Sequence, residues 1–233
     1  MAQQFPLPFP YQTAIKSFET FLPTAQQSTL LKMLKGDTQW IGPWAALIGP
    51  AGTGKSHMLN AWSIEQGAKV LSIEDLKNYG KKGLDSHDAA FFALDMEEHK
   101  GLDDAQSEGL FHLLNHIRFY NGRFLMVSRS PLSKINTPLK DLRSRFAAFI
   151  ALKLDPYEDT QLAALLGKFA SDQQLELKPQ FSNYILSRSP RDAKTLHCVI
   201  SALAHISIVN KKAINFPLIK EALAKVASQK ESY

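Results

Sequence analysis

Residues 49–56 read GPAGTGKS and decide the fold, because they fit the pattern G-x-x-x-x-G-K-[ST] of a phosphate-binding loop. In such a loop the glycines let backbone N–H groups face phosphate oxygens at the N-terminus of the following helix. The loop follows the apolar run WAALIG (44–49) and precedes a segment of helical periodicity at 55–66, which is the context it requires. The residues predicted to bind a nucleotide are Gly49, Pro50, Ala51, Gly52, Thr53, Gly54, Lys55 and Ser56.

The apolar run before the loop is one of five, which also include KVLSI (69–73), AAFFALD (89–95), RFLMVS (123–128) and FAAFIALKL (146–154). Longer segments of helical periodicity lie between most of them, the clearest at 55–66 and 104–120. Nearly continuous apolar strands that alternate with helices predict a parallel sheet covered on both faces, and therefore an α/β fold.

The pattern changes after residue 155, where helical segments near 158–173, 179–188, 191–209 and 215–228 follow one another without a strand. The first 12 residues contain three prolines and are predicted to be extended. The sequence therefore predicts three parts: an N-terminal segment (1–12), a nucleotide-binding base (13–154) and an all-helical lid (155–233).

Bulk composition limits the class of protein without identifying it. The chain has 233 residues, 45% of them hydrophobic, and a net charge of +5, which permits contact with nucleic acid or an acidic protein but proves neither. A single cysteine, Cys198, suits a reducing compartment. The first residues do not resemble a signal peptide, and there is no apolar stretch long enough to span a membrane, so we expect a cytoplasmic protein.

The run AAFFALD ends in Asp95, where an acid that orients Mg²⁺ is expected in a phosphate-loop protein. Ser56 and Asp95 are therefore the predicted metal-binding pair. The next position usually holds a second acid that activates water, but here it is Met96, which cannot polarise water. Glu97 and Glu98 follow, and their offset is expected to direct their side chains elsewhere. Weak or absent ATP hydrolysis by the chain alone is the expectation.

Three stretches, GTGKSH (52–57), FHLLNHIRFYNGRFLMVSRSP (111–131) and LKDLRSRF (139–146), resemble the AAA+ module of the bacterial replication initiator DnaA. The resemblance covers roughly residues 15–228 and implies an AAA+ base with a five-stranded parallel sheet and a small helical lid. Initiators also carry a C-terminal helix-turn-helix domain, for which a chain ending at Tyr233 is expected to have no room. A short DnaA-like chain with a clamp-binding motif resembles the Hda ("homologous to DnaA") family.

Membership of that family would imply a negative regulator of DNA replication initiation. Such proteins bind ADP or ATP with Mg²⁺, dock on the DNA-loaded sliding clamp (the beta subunit of DNA polymerase III) and stimulate ATP hydrolysis by DnaA. The implied partners are therefore DnaA and the clamp, with DNA contacted only through the clamp and no membrane. Whether the chain also forms a homodimer is left open by the sequence.

The resemblance also assigns roles to individual residues. The family's clamp-binding peptide is matched by Gln4, Phe5, Pro6, Leu7, Pro8 and Phe9. Arg145 stands at the position of an arginine finger that acts in trans, with Arg143 as the competing candidate, and Arg191 matches the second sensor of the lid. His57 follows the phosphate loop as in the family. Ser128 and Arg129 depart from the pattern, because initiators usually carry an acid at the latter position.

Other function classes stay open from the sequence alone. A true ATPase that loads or remodels DNA-bound proteins would turn over ATP by itself. A DNA-binding paralogue of the initiator would use the basic surface and bind DNA in a salt-dependent way. A nucleotide kinase is the least favoured, because it has no use for the helical lid or the DLRSRF segment (141–146).

Overall fold

The computed structural model describes residues 17–18, 21, 23, 25–36, 40–81, 90–97 and 99–230. Within them, five strands form one parallel sheet in the order β2-β3-β4-β1-β5. The strands are β1 (Trp44–Ile48), β2 (Lys69–Leu71), β3 (Phe91–Asp95), β4 (Arg123–Ser128) and β5 (Ile150–Lys153). The predicted α/β fold with a five-stranded parallel sheet is confirmed.

Within the described part of the chain, five α-helices accompany the sheet, and four follow it. The first group is α1 (Ala25–Lys35), α2 (Lys55–Gln66), α3 (Lys77–Lys81), α4 (Asp104–Phe119) and α5 (Lys140–Ala147). The second group is α6 (Asp159–Asp172), α7 (Pro179–Leu186), α8 (Ala193–Asn210) and α9 (Phe216–Lys230). The predicted helices at 55–66, 104–120 and throughout the lid agree with these bounds to within about three residues.

The sheet has an apolar layer on each face, because neighbouring residues of a buried strand point to opposite sides. One layer holds Phe92, Leu94 and Met126 from the strands with Leu110 and Leu113 from α4. The other holds Ala93, Leu125 and Val127 from the strands, packed against α1 and α2. Both faces of the central strands are therefore buried, which explains their continuous apolar composition.

The run FAAFIALKL (146–154) was predicted to be one strand, but this prediction is wrong for its first half. Phe146 and Ala147 end helix α5, and the strand begins only at Ile150. A continuous apolar run does not by itself distinguish a strand from a buried helix end. The buried ring of Phe146 belongs to the same apolar layer as Phe149, which explains why the pattern continues across the boundary.

A third apolar cluster joins helices α6 to α9 and includes Leu166, Ile185, Ile200, Leu203 and Ile219. Capping fixes where two of these helices begin. The side chain of Asp192 accepts a hydrogen bond from the Thr195 N–H at the start of α8, and Glu158 and Gln161 form a reciprocal capping box at the start of α6. Among the described helices, none is both long enough and apolar enough to cross a membrane.

We expect His197 of α8 to make the protein less stable in mild acid. Its ring packs edge-to-face on Phe169 at 5.1 Å, and burial lowers its pKa below the ordinary 6.5, an effect that Asp172 opposes. The unfolded chain protonates His197 more readily than the folded chain does. The contribution of the neutral His197 ring to stability is therefore complete above pH 6.5 and is lost as the pH falls through the pKa of the folded state. The free energy of unfolding in urea, measured at several pH values, should fall less steeply on acidification in His197→Gln than in the wild type. An unchanged pH dependence would contradict this.

Candidate nucleotide site

The phosphate loop connects the C-terminal end of β1 to the N-terminus of α2, and three of its glycines allow close approaches. A Cβ on Gly49 would lie 2.2 Å from the Leu154 carbonyl oxygen. Gly52 and Gly54 have φ angles of +78° and +88°, which side chains rarely adopt. A Cβ on Gly52 would also meet the Cβ of Asp192 at 2.2 Å. The glycines thus bring the loop against both the sheet and the lid.

Lys55 opens α2 with its side chain fully buried. Its ammonium group donates a hydrogen bond to the Pro50 carbonyl oxygen inside the loop and lies 3.2 Å from Oε1 of Glu97. Burial lowers the pKa of this ammonium group below its ordinary value, while the carboxylates of Glu97 and Asp95 act in the opposite direction. A cation held inside the loop in this way is suited to bind the phosphate groups of a nucleotide.

Ser56, Asp95 and Glu97 bring their oxygen atoms together beside Lys55. The Ser56 hydroxyl lies 2.6 Å from Oδ2 of Asp95 and 3.1 Å from Oε2 of Glu97. Hydroxyl and carboxylate oxygens are the ligands that Mg²⁺ prefers, so the donor set fits the metal predicted from Ser56 and Asp95. Glu97, which was not predicted to face this site, joins the predicted pair here.

The position of Glu97 corrects that expectation. The Met96 N–H donates a hydrogen bond to the Val127 carbonyl at 3.0 Å, which completes the pairing of Asp95 with Val127 at the end of the strand. Glu97 lies in the turn that follows the strand, and its N–H donates a hydrogen bond to Oδ1 of Asp95 at 2.9 Å, which places Glu97 on the side of Asp95. Met96 points the other way and is completely buried in the apolar layer that contains α4. The methionine is a core residue, and the second acid stands one position later.

The end of β4 contributes a positive charge to the same cluster. Nε of Arg129 lies 3.7 Å from Oε1 of Glu97, and 46% of the Arg129 side chain is exposed. Ser128 is buried, and its hydroxyl donates a hydrogen bond to the Ser130 carbonyl at 2.7 Å. In the sequence, Arg129 was noted only as a departure from the initiator pattern. In the structure it is a neighbour of Glu97.

The helical lid contacts the phosphate loop directly. The Ala193 N–H at the start of α8 donates a hydrogen bond to the Gly52 carbonyl at 3.3 Å. Tyr157, whose pKa is raised to about 12 by burial, donates its hydroxyl proton to the Thr53 carbonyl at 3.3 Å. Thr53 in turn closes the loop through a 3.0 Å hydrogen bond from its hydroxyl to the Pro50 carbonyl. A change in the loop would therefore be transmitted to the lid.

Two other predicted nucleotide-binding residues flank this contact. Arg191 precedes Asp192, which lies against Gly52, and its guanidinium is paired with the carboxylate of Asp159 at the start of α6. Its side chain is 63% exposed. His57 follows the loop, but its Nε2 lies 3.0 Å from the Ser17 carbonyl oxygen and its ring packs against Phe21. In this structure His57 anchors the segment before α1.

The two candidate arginine fingers differ in their surroundings. Arg143 donates two hydrogen bonds, from Nε and Nη2, to the Thr137 carbonyl at 3.2 and 2.8 Å. The guanidinium carbon of Arg145 lies 5.5 Å from the centre of the Trp44 ring and 5.4 Å from that of Phe111. Trp44 is the first residue of β1, whereas the phosphate loop follows its last residue. Arg145 thus lies about 15 Å along the strand from the chain's own loop.

The remaining predicted site, Gln4 to Phe9, lies outside the described residues. Clamp binding by this segment stays a prediction.

Part of the chain matches a known family model. Residues 159–223 match the model described as "Hda, lid domain", and they include all of α6, α7 and α8. An uncharacterized protein of Haemophilus influenzae is 25% identical over 238 residues, which cover 96% of this chain and 99% of that protein.

The fold is shared with several solved structures. Domain III of the Thermotoga maritima replication initiation protein DnaA aligns with a TM-score of 0.70 and 16% identity, covering 91% of this chain and 97% of that one. DnaA of Aquifex aeolicus bound to AMPPCP aligns with a TM-score of 0.66 and 16% identity over 84% and 67% of the two chains. The Thermotoga maritima RuvB Holliday junction branch migration motor aligns with a TM-score of 0.64 and 22% identity over 90% and 71%. These structures share the arrangement of this chain, an α/β base followed by a group of helices.

Proposed function

We propose that this chain, an Hda/DnaA-like AAA+ protein, is a negative regulator of DNA replication initiation that stimulates ATP hydrolysis by DnaA. It would bind ADP or ATP at the phosphate loop, dock on the DNA-loaded sliding clamp through Gln4–Phe9, and supply Arg145 to the nucleotide of DnaA. The observation that carries the proposal is that the lid, which matches the Hda model, rests on a phosphate loop with a complete set of binding groups.

The geometry of the loop supports nucleotide binding. Lys55 is placed to bind the phosphates, and the oxygens of Ser56, Asp95 and Glu97 are suited to hold Mg²⁺, which would neutralise phosphate charge. Because Ala193 and Tyr157 contact the loop backbone, the bound nucleotide would set the position of the lid relative to the base. Arg191, beside this contact, is proposed to reach the nucleotide as the second sensor.

The location of Arg145 supports action on a second molecule. It lies at the opposite end of β1 from the chain's own phosphate loop, so its guanidinium would have to serve a neighbour's nucleotide. A guanidinium packed against aromatic rings can still donate hydrogen bonds from its edge. It would thereby stabilise the negative charge that develops on the phosphoryl group transferred in the DnaA site.

Deleting residues 1–9 tests the proposed recruitment. We expect the shortened chain to lose co-elution with the clamp on size-exclusion chromatography. On clamp-loaded DNA, the stimulation of ATP hydrolysis by DnaA should fall about 100-fold. The reason is that tethering to the clamp raises the local concentration of this chain near DnaA, to which it would bind only weakly. ADP affinity should not change, since the phosphate loop is intact. A shortened chain that stimulates DnaA as well as the full chain would contradict clamp docking, and a full chain without any effect would contradict the regulatory role.

In a second candidate function, this chain hydrolyses ATP at its own site. It would then be a DnaA-like ATPase that acts as a loader or as a DNA-binding paralogue of the initiator. Glu97 is the observation that favours it, because a carboxylate beside Lys55 and Ser56 is suited to activate water. Rapid conversion of ATP to ADP by the isolated chain, without DnaA or clamp, would favour this candidate over the regulator.

A further inference from the structure

Glu97 contacts both side chains on which a phosphate loop depends. Its Oε1 lies 3.2 Å from Nζ of Lys55, and its Oε2 accepts a hydrogen bond from the Ser56 hydroxyl at 3.1 Å. The Glu97 side chain is only 17% exposed, so water screens these contacts weakly. The carboxylate is therefore a built-in anion at the position where an anionic ligand is expected to bind.

A nucleotide requires the same two groups. The lysine of a phosphate loop reaches the β- and γ-phosphates, and the hydroxyl of the next residue reaches the nucleotide's Mg²⁺. Two anions that share one ammonium group in a buried site repel each other. Phosphate binding therefore requires Glu97 to move or to gain another positive partner.

Two positive partners are within reach of the Glu97 carboxylate. Arg129 is one, with its Nε 3.7 Å from Oε1. A divalent cation is the other, because the oxygens of Ser56 and Asp95 lie beside Oε2 and suit a hard cation. A nucleotide that brings Mg²⁺ supplies the second partner, whereas a metal-free nucleotide brings only more negative charge.

We propose that Glu97 makes the nucleotide site selective for magnesium-bound over metal-free nucleotide. The proposal rests on the nucleotide binding proposed above and adds a specificity-determining residue to that site. Glu97 excludes the metal-free ligand by competing for Lys55 and Ser56, and the cation of the magnesium complex would offset that competition by pairing with the carboxylate.

The test is equilibrium binding of fluorescent ADP in Mg²⁺ and in EDTA, for the wild type, Glu97→Gln and Glu65→Gln. Glutamine keeps the size of the side chain and removes its charge. Glu65 is an exposed acid on α2 and gives a matched charge change away from the loop. We expect Glu97→Gln to bind metal-free ADP about ten-fold more tightly than the wild type, whereas Mg–ADP affinity should change less than about three-fold. Glu65→Gln should match the wild type in both buffers.

The outcomes separate the inference from the function on which it rests. Failure of the wild type to bind ADP in either buffer would overturn nucleotide binding, and the inference with it. Tight wild-type binding in Mg²⁺, with no gain for Glu97→Gln in EDTA, would overturn the role of Glu97 alone.

Arg129→Gln gives an independent check, because it removes the other positive partner. It should weaken metal-free ADP binding and leave Mg–ADP binding less affected, and equal losses in both buffers would contradict the proposal.

Discussion

Arg145→Ala is expected to reduce the stimulated hydrolysis of DnaA-bound ATP about 1,000-fold, because an arginine finger supplied in trans contributes at least that factor. The measurement is conversion of DnaA-bound ATP to ADP in the presence of clamp-loaded DNA. Clamp binding and ADP binding by the variant should be unchanged. Loss of the packing on Trp44 and Phe111 should lower the free energy of unfolding by only about 1 kcal/mol, which thermal melting would detect.

Arg143→Ala is the matched control, since the two arginines lie on the same short helix. Arg143 holds the Thr137 carbonyl through two hydrogen bonds, so its loss should destabilise the segment before α5 and preserve stimulation. Arg145→Lys keeps the charge without the planar fork and should recover little activity. Full stimulation by Arg145→Ala together with loss in Arg143→Ala would transfer the assignment to Arg143.

Gly52→Ala is expected to weaken ADP binding about 100-fold, because the change strains the loop and displaces the lid from it. The new Cβ would lie 2.2 Å from the Cβ of Asp192, and the φ of +78° is unfavourable for alanine. Displacement of Asp192 would also break the hydrogen bond from Ala193 to Gly52. ADP titration gives the affinity, and the protection of the Ala193 amide from hydrogen exchange reports the position of the lid.

Gly42→Ala is the control for the cost of a positive φ outside the phosphate loop. Gly42 has a similarly positive φ of +96°, but, its chain neighbours aside, no atom of the residues that the structure describes lies within 4 Å of its added Cβ. This variant should lose stability through backbone strain and retain wild-type affinity for ADP. Equal ADP affinities for Gly52→Ala and Gly42→Ala would show that contact with the lid does not support nucleotide binding.

The sequence predicted the loop, the sheet and the lid helices because each carries a local signal. The pattern of Gly49 to Ser56, the continuous apolar strands and the helical periodicity after residue 155 do not depend on distant contacts. The division of residues 146–154 between α5 and β5 was missed, because the apolar layer accepts side chains from both elements.

Two features of the candidate sites depended on tertiary structure. Glu97 was discounted because its offset from Asp95 was expected to direct its side chain elsewhere, whereas the turn after the strand bonds the Glu97 N–H to Oδ1 of Asp95. The packing of Arg145 between Trp44 and Phe111 joins residues about 100 and 34 positions apart in the chain, and no local pattern reports such a contact.

The separation of Arg145 and the phosphate loop along β1 gives the molecule a polarity. An interface that joins the arginine end of one AAA+ module to the loop end of the next is heterologous, so it does not close on itself as a two-fold dimer would. If this chain supplies Arg145 to DnaA as proposed, its own loop end would stay open to a third module. Complexes larger than one-to-one are then permitted by the geometry, and their length would depend on the relative concentrations of the two proteins.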